Sequence, residues 1–162
     1  MSPWLFRTML NIWSPFRGAG IKVRHVSKDY RHVEVTLQAG RLKRNYVGTH
    51  FGGSLYAMTD PFYMLMLMHN LGRDYWVWDK TASIDYLTAA SGPVTAHFRL
   101  SEGQIEAIRA ATRDGDKHLP EFHIDITDAT GTVVARVHRT IYVRLKKHRR
   151  PVKTDDSGDE SL

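Results

Sequence analysis

No cysteine occurs among the 162 residues. Disulfides, thiolate metal sites and a cysteine nucleophile are therefore excluded. Nor does any apolar run approach the roughly 20 residues that span a bilayer; the longest is Pro61 to Met68. The opening stretch, MSPWLFRTMLNIW, lacks the basic n-region of a secretory signal and carries a proline at position 3. These absences make an intracellular, cytoplasmic protein the expectation. Nine histidines are present, yet none falls at metal-ligand spacing: His118 and His123 sit on either side of Pro120, on a turn and a strand. There is no internal repeat, no low-complexity tract and no helix-turn-helix or aromatic-rich single-strand motif. No nucleic-acid partner is expected on that ground.

What is present suits a globular domain, with 42% hydrophobic and 25% charged residues. The length favours one domain with a modest core. The formal net charge is +6. Asp155, Asp156, Asp159 and Glu160 against Lys153 give residues 151–162 a charge of −3, leaving +9 on residues 1–150. So basic a body suits an anionic ligand or partner. From Arg149 onward the chain is polar and charged, and is read as a disordered tail over 149–162.

Trp4, Leu5, Met9, Ile12 and Trp13 recur at helical spacing behind Ser2-Pro3. This predicts one helix from Pro3 to Phe16, packed on the domain within residues 1–20. A membrane-surface anchor would want a basic polar face, and Arg7 is the only charge in that helix. Ile21 to Ala39 alternates as a hairpin or a long bent strand about Lys28-Asp29, with Val33, Val35 and Leu37 on one face. Tyr75–Asp85, Val94–Leu100, Glu121–Asp128 and Thr132–Lys146 read as further strands, the last as a strand or a long edge pair. Ser101 and Gln104 are spaced as a capping box opening a helix to about Thr112. One apolar helix followed by a run of strands argues for an α+β protein with an antiparallel sheet.

The chain is organised around Asn45 to Met68, NYVGTHFGGSLYAMTDPFYMLMLM. A glycine-rich loop runs into the most apolar segment of the protein. That segment is apolar nearly all round, as a helix wrapped by a sheet must be. Asp60-Pro61 interrupts it. Asp60 suits an N-cap with Pro61 at the first helical position. Equally, Pro61 inside the helix would lack the N–H for the Ala57 carbonyl and kink it.

This order, with these residues, resembles the hotdog fold, in which a long antiparallel sheet wraps one buried helix. The likeness is to acyl-CoA thioesterases of the phenylacetate-pathway type, and more closely to an uncharacterised, DUF4442-type branch. The family pattern is Asn, two residues, Gly, two residues, His-Gly-Gly, then an acid seven residues after the second glycine. Asn45, Gly48, Gly52, Gly53 and Asp60 fall on those places. Thr81 to Leu87, with Gly92 beyond, is similar to the family's strand after the helix. The resemblance covers roughly Ile21 to Lys146 and implies a hotdog domain over 21–148. It departs at Phe51, where the thioesterases carry histidine; His50 stands one place earlier. The resemblance implies a homodimer or homotetramer with its site between two chains. It also implies an acyl-CoA or other acyl thioester as substrate, and no cofactor beyond the CoA that the substrate carries.

Thioester hydrolysis needs a polarised carbonyl, an activated water and a hold on the CoA portion. Unpaired N–H groups at a helix start suit the first, with Gly53 as the donor and Gly52 permitting close approach. Asp60, among Met, Phe and Tyr, is the candidate base or nucleophile, since poor solvation raises a carboxyl towards useful basicity. Helix capping competes for the same residue. Asn45 would orient water or tie the loop. His50, Phe51, Gly52, Ser54, Thr59 and Ser83 complete the candidate substrate-binding set. Ser54 and Thr59 equally suit helix capping, and His50 an ordinary loop position. The basic run of Arg139, Arg144, Lys146, Lys147, Arg149 and Arg150 would meet the CoA phosphates or merely solvate a strand end. Three readings result: an acyl-CoA thioesterase, a non-catalytic acyl-thioester or lipid-binding protein favoured by Phe51, and a protein that binds an anionic surface, nucleic acid or membrane.

Overall fold

Period-two alternation and turn residues account for most of the sheet. The computed structural model describes residues 1–38, 40 and 43–150. Strands β1 (Ile21–Val26) and β2 (His32–Leu37) form the expected hairpin, turned at Tyr30, which has φ of 56°. Val33, Val35 and Leu37 point inward. Strand β3 spans Tyr75–Tyr86, β4 Val94–Arg99, β5 Glu121–Asp128 and β6 Val133–Leu145. All pairs are antiparallel, in the order β1-β2-β4-β5-β6-β3. The β5–β6 turn is closed by Asp128, whose Oδ1 accepts from the backbone N–H of Thr130 and Thr132.

Three expectations need correction. The helix predicted from Pro3 to Phe16 is two: α1 (Pro3–Ile12) and α2 (Ser14–Ala19), with Trp13 extended between them. A continuous helix would require Pro15 to donate an N–H it lacks and would drive its ring into the preceding turn. The central helix is likewise split into α3 (Gly52–Ala57) and α4 (Phe62–Leu71). The Asp60–Pro61 peptide is cis, and Pro61, not Asp60, occupies the cap position without a side-chain cap. The Ala57 carbonyl instead accepts from the Asp60 N–H at 3.2 Å. Third, β6 is no edge pair; it is a single strand between β5 and β3. The tail expected over 149–162 lies outside the described residues from 151 on, while Lys147–Arg149 form a 3-10 turn.

The concave face of the sheet wraps α4. Phe62, Met66 and Leu67 are buried against Val33, Val35, Phe98, Ile124 and Ile141. Phe62 lies 4.8 Å from Phe98, and Tyr63 stacks on Phe122 at 4.0 Å between ring centroids. Helix α5 (Glu102–Thr112) opens with the expected Ser101–Gln104 capping box and buries Ile105 and Ile108. Emptying the Phe62 position would cost about 3–5 kcal/mol, the usual range for Phe→Ala in a core.

Candidate functional site

The loop before α3 is tied by Asn45. Its Oδ1 accepts from the Thr49 N–H at 3.0 Å, and its Nδ2 donates to Thr49 Oγ1 at 2.8 Å and to the His50 carbonyl at 3.2 Å. Gly48, at φ 83°, makes the tight turn that this closure needs. His50 is 5% exposed. Its N–H donates to the Ala90 carbonyl at 2.9 Å and its Nε2 to the Gly92 carbonyl at 2.6 Å. The loop is thereby pinned to the segment after β3.

This pinning leaves a cleft of about 510 Å³. Its walls are the loop (Asn45, Thr49, His50, Phe51), the start of α3 (Gly52, Gly53, Leu55) and residues 86–90. The first amides of α3 have no intrahelical acceptor, so Gly52 and Gly53 present N–H groups there. Aromatic rings crowd both glycines. A Cβ on Gly52 would lie 2.8 Å from the Tyr86 hydroxyl, and one on Gly53 would lie 2.5 Å from the Phe51 ring. A side chain at either position would displace the exposed ring that lies over it. Phe51 itself is 58% exposed.

Asp60 does not line that cleft. It lies in the α3–α4 break, its side chain 48% exposed, with Oδ2 3.5 Å from Arg139 Nη2. Arg139, on β6, is 2% exposed. It also donates through Nη1 to Asp79 Oδ1 at 2.9 Å and through Nη2 to Thr59 Oγ1 at 3.4 Å. Its guanidinium sits 5.3 Å from the centre of the Tyr56 ring, and its Nε is buried without a partner. Burial pushes the Asp60 carboxyl above the ordinary carboxylate value; Arg139 opposes that shift and Asp79 reinforces it.

The structure thus gathers Asn45, His50, Phe51, Gly52 and Gly53 at one cleft and Asp60 with Thr59 at a separate charged cluster. Ser54 is buried in α3, and the buried Thr59 hydroxyl donates to the Tyr56 carbonyl at 2.8 Å. Ser83 joins neither group. It faces the outer side of the sheet opposite His138, in a polar recess of about 210 Å³ with Thr81 and His123. Arg139 corrects a further expectation, for a guanidinium buried against two carboxylates is not available to a phosphate. A signal for this was present: Arg139 falls in the inward row of β6 with Val137, Ile141 and Val143. Tyr86, which covers Gly52, carried no such signal.

A six-stranded antiparallel sheet wrapped around a central helix, with a glycine-rich loop at the helix start, defines a hotdog-fold protein. The family model described as "Domain of unknown function (DUF4442)" matches residues 2–143, and the chain belongs to that family. Among solved structures, PA5026 of Pseudomonas aeruginosa, described as a protein of unknown function and probable thioesterase, superposes with a TM-score of 0.76. It is 17% identical, over 90% of this chain and 97% of that one. The thioesterase HI1161 of Haemophilus influenzae gives 0.65 at 15% identity, over 91% and 95%. The PaaI protein of the E. coli phenylacetic acid degradation operon gives 0.60 at 16% identity, over 89% and 94%. At these identities the likeness is one of fold. No functionally curated protein matches the chain. No helix among the described residues is long and apolar enough to cross a membrane.

Proposed function

We propose that the protein hydrolyses acyl thioesters, acyl-CoA foremost, as a homodimer or a tetramer of dimeric units. The observation that carries this reading is the pairing of a glycine cleft at the start of α3 with a half-buried acid of raised pKa in the break that follows the same helix. Two of the similar structures are described as a thioesterase or probable thioesterase. Within one chain the two features do not share a pocket, so a complete site needs the cleft of one copy beside Asp60 of another. Strand β3 ends the sheet and leaves an edge on which a second copy can add.

Asp60 takes a proton from water as the oxygen attacks the thioester carbonyl. The Gly53 N–H stabilises the oxyanion. Collapse breaks the C–S bond, and the departing thiolate takes up a proton, giving a carboxylic acid and free thiol. Asn45 holds the loop that presents Gly53. The reading requires no cofactor other than the CoA of the substrate.

A panel of short, medium, long and aryl acyl-CoAs tests it, with Asp60→Asn as control. Turnover should fall at least about 100-fold in the variant, the usual scale for a lost general base. Equal turnover by both proteins would remove Asp60 from the mechanism. The position of the Phe51 ring over Gly53 favours one second reading, a non-catalytic acyl-thioester binder. Tight binding with no hydrolysis by the wild type decides for it.

A further inference from the structure

Helix α1 is mounted with its apolar side outward. At 100° per residue, Trp4, Leu5, Met9, Ile12 and Trp13 fall within one half of the helix circumference. All five are exposed, Trp4 at 65% and Ile12 at 64%. The opposite half holds Phe6, Leu10, Arg7 and Asn11. The polar pair on that half is used up against β1: Asn11 accepts from the Val23 N–H at 2.8 Å and donates to its carbonyl at 3.0 Å, and Arg7 donates to the Arg24 carbonyl at 3.2 Å. Phe6 meets Tyr30 edge to face at 5.3 Å, and the Tyr30 hydroxyl donates to the Met1 carbonyl at 2.9 Å. The helix is clamped in this orientation, so the outward face is a fixed feature of the fold.

Charge indicates the occupant. Residues 1–28 contain Arg7, Arg17, Lys22, Arg24 and Lys28 and not one Asp or Glu. Arg17, Lys22 and Arg24 are exposed on the elements flanking α1. Lys43 joins them, its Nζ donating to the Arg17 carbonyl at 3.1 Å. The basic border that α1 lacks in its own sequence is supplied by α2, β1 and the loop after β2. Two tryptophans and three aliphatic side chains within a cationic border are the composition of an interfacial helix on anionic lipid. The exposed carboxylate next along the chain, Asp29, is tied to Arg31, which leaves the border cationic.

We infer that α1 docks the protein on an anionic bilayer surface, with Trp4, Leu5, Met9, Ile12 and Trp13 entering the headgroup region and Arg17, Lys22 and Lys43 meeting lipid phosphates. This inference is independent of the thioesterase reading, because its readout is lipid binding.

The test is co-sedimentation of the full chain with vesicles of phosphatidylcholine alone and of equal phosphatidylcholine and phosphatidylglycerol, alongside sedimentation velocity without lipid. Wild-type protein should bind the mixed vesicles and not the neutral ones. Leu5→Glu with Ile12→Glu, two exposed sites, should abolish binding while leaving the melting temperature and the mass in solution unchanged. Arg17→Glu with Lys22→Glu should weaken it roughly 25-fold or more, given about fivefold for each cation at an anionic surface. Equal binding to both vesicles, no binding to either, or a smaller oligomer for Leu5→Glu with Ile12→Glu overturns the inference. The last outcome would make the face a contact between copies.

Discussion

The two edges of the sheet are finished in opposite ways. At β1 the chain closes its own edge: the Asn11 amide pairs with both backbone groups of Val23 as a neighbouring strand would, and Arg7 caps the next carbonyl. At β3 the outer rim of a twelve-residue strand has no strand partner among the described residues. That edge is secured from within, through Asp79 on buried Arg139. The lesson concerns cost. Neutral hydrogen bonds at a partly solvated rim, such as those of Asn11, can be lost for little, since water replaces them. A buried guanidinium shared by two carboxylates cannot, since removing it strands charge in a poorly solvated place.

Several substitutions separate the two edges. Arg139→Met should have the largest effect on stability, about 3 kcal/mol or more in chemical denaturation, and a loss under 1 kcal/mol would show that Asp79 and Asp60 find water instead. Next, Thr81→Lys with Ser83→Lys places like charges on the open edge. If two copies join there, the dimer dissociation constant should rise at least about 10-fold in analytical ultracentrifugation, consistent with like-charge repulsion between facing strands; an unchanged constant would move the interface elsewhere. Asn11→Ala should cost only about 1 kcal/mol. An added signature would be faster hydrogen exchange at Val23 than at Val35, its partner on β2.

The smallest effect is one of pH. Burial raises the folded-state pKa of Asp60 above its ordinary value of 3.8, so over that interval the folded protein holds a proton the unfolded chain has released. Stability from this group is complete below the ordinary pKa and is lost as pH rises through the raised one. Wild type should therefore lose stability relative to Asp60→Asn on going from acid to neutral pH. A gap that closes instead would mean that Arg139 outweighs burial. Under the proposed mechanism, the same shift should place the acid limb of turnover above the usual carboxylate range, which a pH–rate profile reads directly.

Strands and their inward rows were legible in the sequence, because period-two alternation is local: Val33, Val35 and Leu37 point where their spacing places them. The capping box at Ser101 was equally plain, being complete within four residues. The glycine pair was legible as a site of close backbone approach, though not that Tyr86 and Phe51 would be what crowds it. Arg139 was misread as one of a run of strand-end cations. Its partners Asp79 and Thr59 lie 60 and 80 residues away, and only the wrap of β3 and β6 around the α3–α4 break joins them.

By itself, then, the sequence determined the strands, the capped start of α5, the antiparallel α+β class and the glycine-rich start of the buried helix, since each follows from short-range periodicity, capping or turn chemistry. The tertiary structure alone decided which way α1 faces, what surrounds Asp60 and which sheet edge stays open. Those depend on the competition of distant groups for the same partner. Asn11 and Arg7 reach β1 with the tryptophans turned outward, and Asp60 stands before the cap position of α4 with its carboxylate at buried Arg139.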